Sequence, residues 1–243
     1  MTDLHVSVWG DGTPVVLVHG SGARGSVVWS RQRPLAERYR LLIPDRRGYG
    51  KSPPAERLDF AVDAQDIADL LGEGSHLVGY SYGGVASLLA AAARPEAVLS
   101  LAVIEPPAFG LVRGVPEVEA ALQTVEAVYA EARRLAPEAF IRRFRASWGM
   151  PQDPRPLPPT AERDILAMMR ERRPWEAEIP LERLAAMSFP KLVFSGGWNP
   201  TFDTLCDTLA CGINATRAVL PGHGHAVQQA GRPFNDRLEA LWT

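Results

Sequence analysis

The distribution of apolar and polar positions predicts that the chain begins with the edge of a sheet. Residues 4–9 alternate between apolar and polar side chains, which is typical of a strand with one face in water. Asp11 and Gly12 form a dipeptide common in tight turns, and an uninterrupted apolar run at 15–18 follows them. We therefore expect an antiparallel edge hairpin that leads into a buried strand.

Further apolar runs alternate with helical periodicity in the two outer parts of the chain. The runs at 41–43, 76–78, 99–104, 191–195 and 216–220 have the length of strands. Between them, 61–71 carries an apolar stripe at helical spacing, 85–93 is rich in alanine and leucine, and a closing helix places Phe234, Leu238, Leu241 and Trp242 on one face. This alternation predicts an α/β fold with a mostly parallel sheet and helices on both faces.

The segment 111–185 has a different character. Amphipathic helical stretches at 117–135, 137–148 and 160–172 surround a connector at 151–159, in which five of nine residues are proline. Proline at that density cannot continue a helix, so we expect the connector to be stiff and extended. The segment contains 12 arginines and 12 acidic residues, which favours solvated ion pairs over an anion-binding site. We divide the chain into a core, 1–110 with 186–243, and a helical insertion, 111–185.

Composition limits the classes of partner. A chain of 243 residues suits one large domain, and a formal net charge of -2 offers no basic face for nucleic acid or anionic membranes. We expect small-molecule substrates, preferably neutral ones, and a cytoplasmic location, because neither a signal peptide nor a membrane-length apolar run is visible. Cys206 and Cys211 lack the spacing of a metal site, so we expect no metal and no cofactor. The number of subunits stays open.

The pentapeptide Gly-Tyr-Ser-Tyr-Gly at 79–83 is the strongest chemical signal. It follows an apolar run and opens a helical stretch, which is the strand, turn and helix context of a nucleophile elbow. Its glycines leave room for a tight turn that lifts the hydroxyl of Ser81 above the sheet edge. We predict that Ser81 is a nucleophile, and the alternative is an incidental serine in a glycine-rich turn.

A second turn, His-Gly-Ser-Gly at 19–22, ends the buried strand at 15–18. Its glycines allow backbone N–H groups to point into a cavity. A nucleophilic serine requires such donors for the oxyanion that forms on its substrate. A plain loop between strand and helix would look the same, so this motif is weak alone.

These motifs, with Asp-Arg-Arg-Gly-Tyr-Gly-Lys-Ser at 45–52 and Gly-His-Gly-His at 222–225, resemble the α/β-hydrolase superfamily in its serine esterase, lipase and haloperoxidase-like branch. The resemblance covers most of 4–110 and 189–243. It implies oxyanion donors at the N–H groups of Ser21 and Tyr82, and a helical cap at 111–185. It also implies His225 as the base, with His223 as an alternative, and it favours His19 as a brace for the oxyanion turn.

The acid of the implied triad departs from the family's majority pattern. Most members carry it after the strand at 191–195, where this chain has Asn199, and an amide cannot neutralise an imidazolium. Some branches carry it after the strand that follows the elbow helix, where this chain has Glu105. Pro106 is expected to hold Glu105 in an extended backbone at the strand tip. We predict Glu105 as the acid, beside Asn199 near the same histidine; the alternatives are Asp203 and no carboxylate at all.

The predicted activity is that of a serine hydrolase which cleaves an ester, lactone or thioester of a small, largely apolar substrate through an acyl-enzyme. Its catalytic residues would be Ser81, His225 and Glu105. The candidates for the substrate pocket are Gly22, Trp148, Trp175, Trp198 and Asn199. Two alternatives stay open: a lyase or cyclase on the same fold, and a ligand-binding protein that has lost catalysis, which the amide at 199 favours.

Overall fold

The computed structural model describes residues 3–243, so the first two residues of the predicted segment 1–110 lie outside the described residues. Within that range, seven strands form one sheet. They are β1 (Val6–Trp9), β2 (Thr13–Val18), β3 (Tyr39–Pro44), β4 (Ser75–Tyr80), β5 (Val98–Ile104), β6 (Lys191–Ser195) and β7 (Thr216–Val219).

The spatial order of the strands is β1-β3-β2-β4-β5-β6-β7. The β1 strand pairs with β3 in the antiparallel sense, and all other neighbours are parallel. The predicted fold class, a mostly parallel sheet with covering helices, is confirmed. In β2 the run Val15–Val18 has no exposure because helices cover both faces of a central parallel strand.

Helices connect the strands and cover the sheet. They are α1 (Gly25–Val28), α2 (Phe60–Leu70), α3 (Tyr82–Ala93), α4 (Pro116–Ala130), α5 (Pro137–Ser147), α6 (Pro159–Met168), α7 (Leu181–Ala185), α8 (Pro200–Gly212) and α9 (Arg232–Trp242). Short 3₁₀ helices span Ser30–Glu37, Pro95–Ala97, Phe109–Val112, Ala132–Arg134, Pro174–Glu176 and Val227–Ala230. The apolar faces of α2, α3 and α8 join one core cluster, whereas those of α1 and α9 join a second cluster that also contains Val15 and Leu17 of β2.

The predicted N-terminal hairpin is wrong. The β1 strand is the antiparallel edge of the sheet, but its partner is β3 and not β2, with Val6 opposite Pro44. Both edges of β2 are occupied by parallel neighbours, so no edge is left for β1. The turn after β1 passes close to the start of β3: a Cβ at Gly12, where φ is +110°, would lie 2.6 Å from the carbonyl oxygen of Arg38.

The segment 111–185 connects β5 to β6 and contains α4 to α7. Prolines occupy the first positions of α4, α5 and α6, where the missing N–H has no helical acceptor to lose. The connector between α5 and α6 has no regular structure until Pro159. No helix within residues 3–243 combines the length and the apolar character that a membrane span requires.

His76 of β4 is a buried histidine away from the motifs discussed above. Its Nδ1 lies 2.8 Å from the hydroxyl oxygen of Ser100, and its ring stacks on Trp242 of α9 at 5.2 Å. Burial disfavours the charged ring and lowers the pKa of His76 from 6.5 to about 4. The folded protein therefore holds a neutral imidazole at this position between these pH values.

We expect this histidine to make stability depend on pH. Between pH about 6.5 and about 4 the unfolded chain binds a proton at His76 that the folded chain does not, so stability falls as the pH falls. Urea unfolding at several pH values tests this. The difference in free energy of unfolding between wild type and His76→Gln should become less favourable to wild type as the pH falls. His223→Gln, at an exposed position, is the control. A pH-independent difference for His76→Gln would contradict the prediction.

Candidate active site

The carboxyl ends of neighbouring parallel strands bring the predicted residues together. Ser81 follows β4 and Glu105 follows β5, and the last residues of these strands, Tyr80 and Ile104, are paired in the sheet. The Ser81 N–H donates to the carbonyl oxygen of Ile104 at 2.8 Å. His225 lies in the loop after β7 on the same edge of the sheet. This edge is where open parallel sheets bind ligands.

The turn at Ser81 has the strained backbone of an elbow. Its φ is 52° and its ψ is -123°, values that a side chain with a Cβ rarely adopts. A Cβ at Gly83 would lie 2.3 Å from the carbonyl oxygen of His19, and one at Gly79 would lie 2.5 Å from the hydroxyl oxygen of Ser87. Both positions therefore require glycine, and α3 begins directly after the serine.

Ser81, His225 and Glu105 form a continuous chain of hydrogen bonds. The Ser81 hydroxyl lies 2.9 Å from Nε2 of His225, and Nδ1 of the same ring lies 2.5 Å from Oε2 of Glu105. With the proton on Nδ1, the ring donates to the carboxylate and accepts from the serine. The structure thus brings together the three residues that the sequence singled out for catalysis.

The Glu105 carboxylate is fully buried and has further donors. The Gly196 N–H donates to Oε1 at 2.7 Å, and Nε1 of Trp198 lies 3.0 Å from both oxygens. The expected extended backbone is wrong, because φ of Glu105 is 41°, in the left-handed region. A residue other than glycine in this region carries a backbone strain of about 1 to 3 kcal/mol. The hydrogen bonds to a buried carboxylate offset it.

The alternatives for the acid have other partners. Nδ2 of Asn199 donates to the carbonyl oxygen of Trp148 at 3.1 Å, while its Oδ1 accepts from the N–H of Thr201 at 2.9 Å and caps α8. Asn199 thus uses both ends of its amide in hydrogen bonds to residues other than His225. Asp203 accepts from the Ser195 hydroxyl and pairs with Arg217 at 3.3 Å. The alternative base, His223, is exposed.

A cavity of about 390 Å³ opens above Ser81 and His225. Its wall is mostly apolar, and much of it comes from the segment 111–185. Three predicted pocket residues, Gly22, Trp148 and Trp175, line it. The other two candidates, Trp198 and Asn199, are not among the described residues that line this cavity; their side chains contact Glu105 and cap α8.

A buried arginine supports the turn at 19–22. Arg46 has 1% exposure, and its guanidinium donates to the carbonyl oxygens of His19 and Gly20 at 3.1 Å each. Nε2 of His19 accepts a hydrogen bond from the backbone N–H of Arg46 at 2.9 Å. The ring proton therefore lies on Nδ1, which donates to the Gly20 carbonyl oxygen at 2.7 Å. Burial, assisted by the charge of Arg46, holds the pKa of His19 well below its usual value. His19 is therefore a neutral brace for this turn.

Glu171 extends this network from the segment 111–185 to Ser21. Its Oε1 accepts from Arg46 at 2.5 Å and from the Tyr49 hydroxyl at 2.7 Å, and its Oε2 accepts from the Ser21 hydroxyl at 2.5 Å. Arg46 also pairs with Asp63 of α2 at 2.6 Å. Burial is the largest single influence on the pKa of the Arg46 guanidinium and lowers it, but the charges of Asp63 and Glu171, with smaller contributions from Tyr49 and Tyr82, together raise this pKa well above its usual value. The turn that carries Ser21 is thus fixed by charged groups from three parts of the chain.

Both residues predicted to supply oxyanion donors lie near Ser81. Tyr82 is the first residue of α3, so its N–H is among those that a helix leaves without an internal acceptor. Ser21 lies in the turn after β2, and the hydroxyl of Ser21 is occupied by Glu171. A Cβ at the neighbouring Gly20 would lie 2.8 Å from Cβ of Ser81, which shows how closely this turn approaches the serine.

Comparison with known proteins identifies the family of this chain. The model of the alpha/beta hydrolase family matches residues 15–237. The chain belongs to this family. The superfamily predicted from the four motifs is therefore confirmed.

Among its relatives is the pimeloyl-acyl-carrier protein methyl ester esterase of Aeromonas hydrophila, 36% identical over 101 residues, which are 41% of this chain. The chain spans 40% of the length of that relative. Lipase LipV of Mycobacterium tuberculosis is 30% identical over 185 residues, which cover 73% of this chain and 68% of the lipase. A crystal structure of an alpha/beta hydrolase from Sphaerobacter thermophilus has a TM-score of 0.72 at 26% identity, with 99% of this chain and 96% of that chain covered.

Sequence reasoning missed the roles of three residues in this site. Arg46 and Glu171 form the network beneath Ser21, and no local pattern links them, because 125 residues separate them. The role of Trp198 as a donor to Glu105 was also missed. The strand register gives a signal for it: Ile104 pairs with Phe194, so the turn after β6 must lie beside Glu105.

We expect the buried network to be sensitive to the loss of one charge. Glu171→Gln should lower the free energy of unfolding by at least about 2 kcal/mol, since removal of one partner leaves a buried charge poorly compensated. Urea unfolding measures the change. Glu138→Gln, which removes the partner of Arg142 in an exposed i,i+4 pair of α5, is the matched control and should change it little. Equal effects of the two substitutions would contradict the prediction.

Proposed function

We propose that this protein is a serine carboxylic-ester hydrolase that acts on an ester, lactone or thioester of a small substrate through an acyl-enzyme. One observation carries the proposal: the hydrogen-bonded chain from Ser81 through His225 to Glu105 at the floor of a mostly apolar cavity. The names of the relatives, an esterase and a lipase, support the same class of reaction. The fold alone would not, because it hosts many reactions.

In the first step, Ser81 attacks the substrate carbonyl. A serine hydroxyl is a weak nucleophile, and Nε2 of His225, at 2.9 Å, accepts its proton as the new C–O bond forms. The ring then carries a positive charge next to Glu105, whose carboxylate stabilises it and keeps Nδ1 protonated. Glu105 itself stays unprotonated during the cycle.

The negative charge on the carbonyl oxygen needs donors that are in position before the reaction. The N–H groups of Tyr82 and Ser21 supply them in this proposal, one from the first turn of α3 and one from the turn after β2. The network of Glu171 and Arg46 supports this role of Ser21, because it holds the turn at 19–22 in place. A turn that is already fixed needs no reorganisation when the negative charge develops on the carbonyl oxygen.

Collapse of the tetrahedral intermediate requires a proton for the leaving alcohol, which His225 donates. A water molecule then attacks the acyl-enzyme, with His225 again as the base, and releases the acid. We propose that the segment 111–185 acts as a cap that binds the substrate, since Trp148 and Trp175 of that segment line the cavity. Their apolar surface favours hydrocarbon groups on the substrate.

The binding-protein alternative rested on the amide at position 199. That amide caps α8, and a carboxylate from another strand bonds His225, so the feature no longer favours a lost catalytic function. No contact among residues 3–243 favours a lyase or cyclase over hydrolysis.

We expect Ser81→Ala to abolish hydrolysis of 4-nitrophenyl esters, with turnover reduced by at least about 10⁴-fold, because no other group can form the acyl-enzyme. Labelling by a fluorophosphonate probe, followed by mass spectrometry, should locate the adduct at Ser81. The control is Ser30→Ala at an exposed serine, which should label and turn over like wild type. Hydrolysis at wild-type rates by Ser81→Ala would exclude this serine as the nucleophile.

We expect Glu105→Gln to reduce kcat by about 10²-fold or more, because an amide cannot stabilise the imidazolium and favours the wrong tautomer. Steady-state kinetics with the same esters measure the loss. Asp203→Asn is the matched control: it makes the same chemical change at the alternative carboxylate, which pairs with Arg217 instead. If Asp203→Asn were the more damaging change, Glu105 would not be the catalytic acid.

A further inference from the structure

The arginines of the segment 111–185 differ in their partners. Five of them pair with carboxylates and three with backbone carbonyls: Arg113, Arg142, Arg143, Arg155 and Arg172 in the first group, and Arg163, Arg170 and Arg173 in the second. Three more, Arg133, Arg134 and Arg183, are exposed to water. The remaining arginine, Arg145, is half-buried and has no hydrogen bond or ion pair from its guanidinium to any residue in 3–243.

Arg145 lies in the wall of the cavity above Ser81. It belongs to one stripe formed by α5 and the residue that caps its C-terminus, in which Ile141, Phe144, Arg145 and Trp148 follow at helical spacing, and all four line the cavity. Among the described residues that line the cavity, the two that can carry a positive charge are Arg145 and His225. The guanidinium of Arg145 is the one that is permanently charged. A cation thus faces an otherwise largely apolar space.

The environment of Arg145 leaves its charge available. Asp153, whose pKa responds to Arg145, is already held by Arg155 through both oxygens, at 2.9 and 2.7 Å. The charge of Arg145 also opposes the rise that burial causes in the pKa of Tyr80, the residue before Ser81. Since Arg145 lines the same cavity as Ser81 and His225, a substrate bound at Ser81 can also contact its guanidinium.

We propose that Arg145 is a specificity-determining residue that binds an anionic group, a carboxylate on the acyl or alcohol part of the substrate, while the reacting carbonyl lies at Ser81. This inference rests on the proposed ester hydrolase function. It replaces the neutral substrate expected from the net charge of the chain. Because the arginine is half-buried before the substrate arrives, part of its desolvation cost has already been met in folding. A guanidinium and a carboxylate also form strong, charge-assisted hydrogen bonds.

Matched pairs of esters that differ by one charge test the proposal. On the acyl side, the pair is mono-4-nitrophenyl adipate and its ω-methyl ester, repeated with suberate to vary the reach. On the alcohol side, the pair is 4-carboxyphenyl butanoate and 4-carbamoylphenyl butanoate. In at least one arm, kcat/KM of wild type should favour the anionic ester about tenfold or more, as expected for a hydrogen bond between charged groups.

Two variants on the same helix separate this role from a general effect of charge. Arg145→Met keeps the apolar stem and should remove the preference for the anionic ester, and Arg145→Glu should reverse it. Arg142→Met removes an equal charge from an exposed position of α5, paired with Glu138, and should keep the wild-type preference. The arm that shows the effect identifies the part of the substrate that carries the anion.

Binding to an inactive variant gives a readout that does not depend on turnover. In Ser81→Ala, quenching of tryptophan fluorescence by monomethyl adipate and by dimethyl adipate should show tighter binding of the anion. The further change Arg145→Met should abolish that difference.

The possible failures are distinguishable. If wild type hydrolyses neither neutral nor anionic esters, the proposed function fails, and the binding experiment still tests Arg145. If neutral esters are hydrolysed but no arm shows a preference for the anion, the Arg145 proposal is overturned. It is also overturned if the preference survives in Arg145→Met, or if Arg142→Met removes it equally.

Discussion

A carboxylate that has no contact with water requires hydrogen-bond donors from the protein in place of its hydration. The Glu105 carboxylate, at the carboxyl end of β5, is fully buried and has this requirement. The donors are the N–H of Gly196, the indole of Trp198 and the imidazole of His225. They come from the loops after β6 and β7. The buried charge at the end of β5 therefore links that strand to the loops after β6 and β7, and it fixes the His225 ring that faces Ser81. The unusual backbone of Glu105 persists because these bonds outweigh its local strain.

A second buried charge lies on the other side of Ser81, with the opposite sign. Arg46 is enclosed by the rings of Tyr49 and Tyr82, with its charge balanced by Asp63 and Glu171. The two centres serve different groups: the buried carboxylate orients the imidazole, whereas the buried guanidinium holds the carbonyls of the turn at 19–22. The serine therefore lies close to two ionic clusters, which reach the described wall of the cavity through His225 and Ser21, while most of that wall belongs to neither cluster. That part of the wall is left free to vary with the substrate.

The sequence predicted the parts of this arrangement that local patterns encode. Ser81 was predictable because strand, turn and helix are contiguous around it, and sterics at Gly79 and Gly83 permit no other residue there. Glu105 was predictable from its place at a strand end, through a family pattern. The partner of β1 was not, because alternation along a strand does not encode which edge of the sheet is free. The contact between Arg46 and Glu171 was equally hidden, since it arises only when two distant segments fold together.

The position of Glu171 has a consequence for the modularity of the protein. Insertions between strands are commonly regarded as interchangeable parts, and the segment 111–185 lies between two neighbouring strands of the sheet, β5 and β6. Yet it supplies one of the two carboxylates that neutralise a fully buried arginine of the core. An exchange of this segment for that of a relative would succeed only if the donor segment carried an acid at the same place, or if position 46 changed with it. Exchange of the whole segment is therefore coupled to position 46, whereas substitutions within the segment that keep Glu171 leave this ion pair intact.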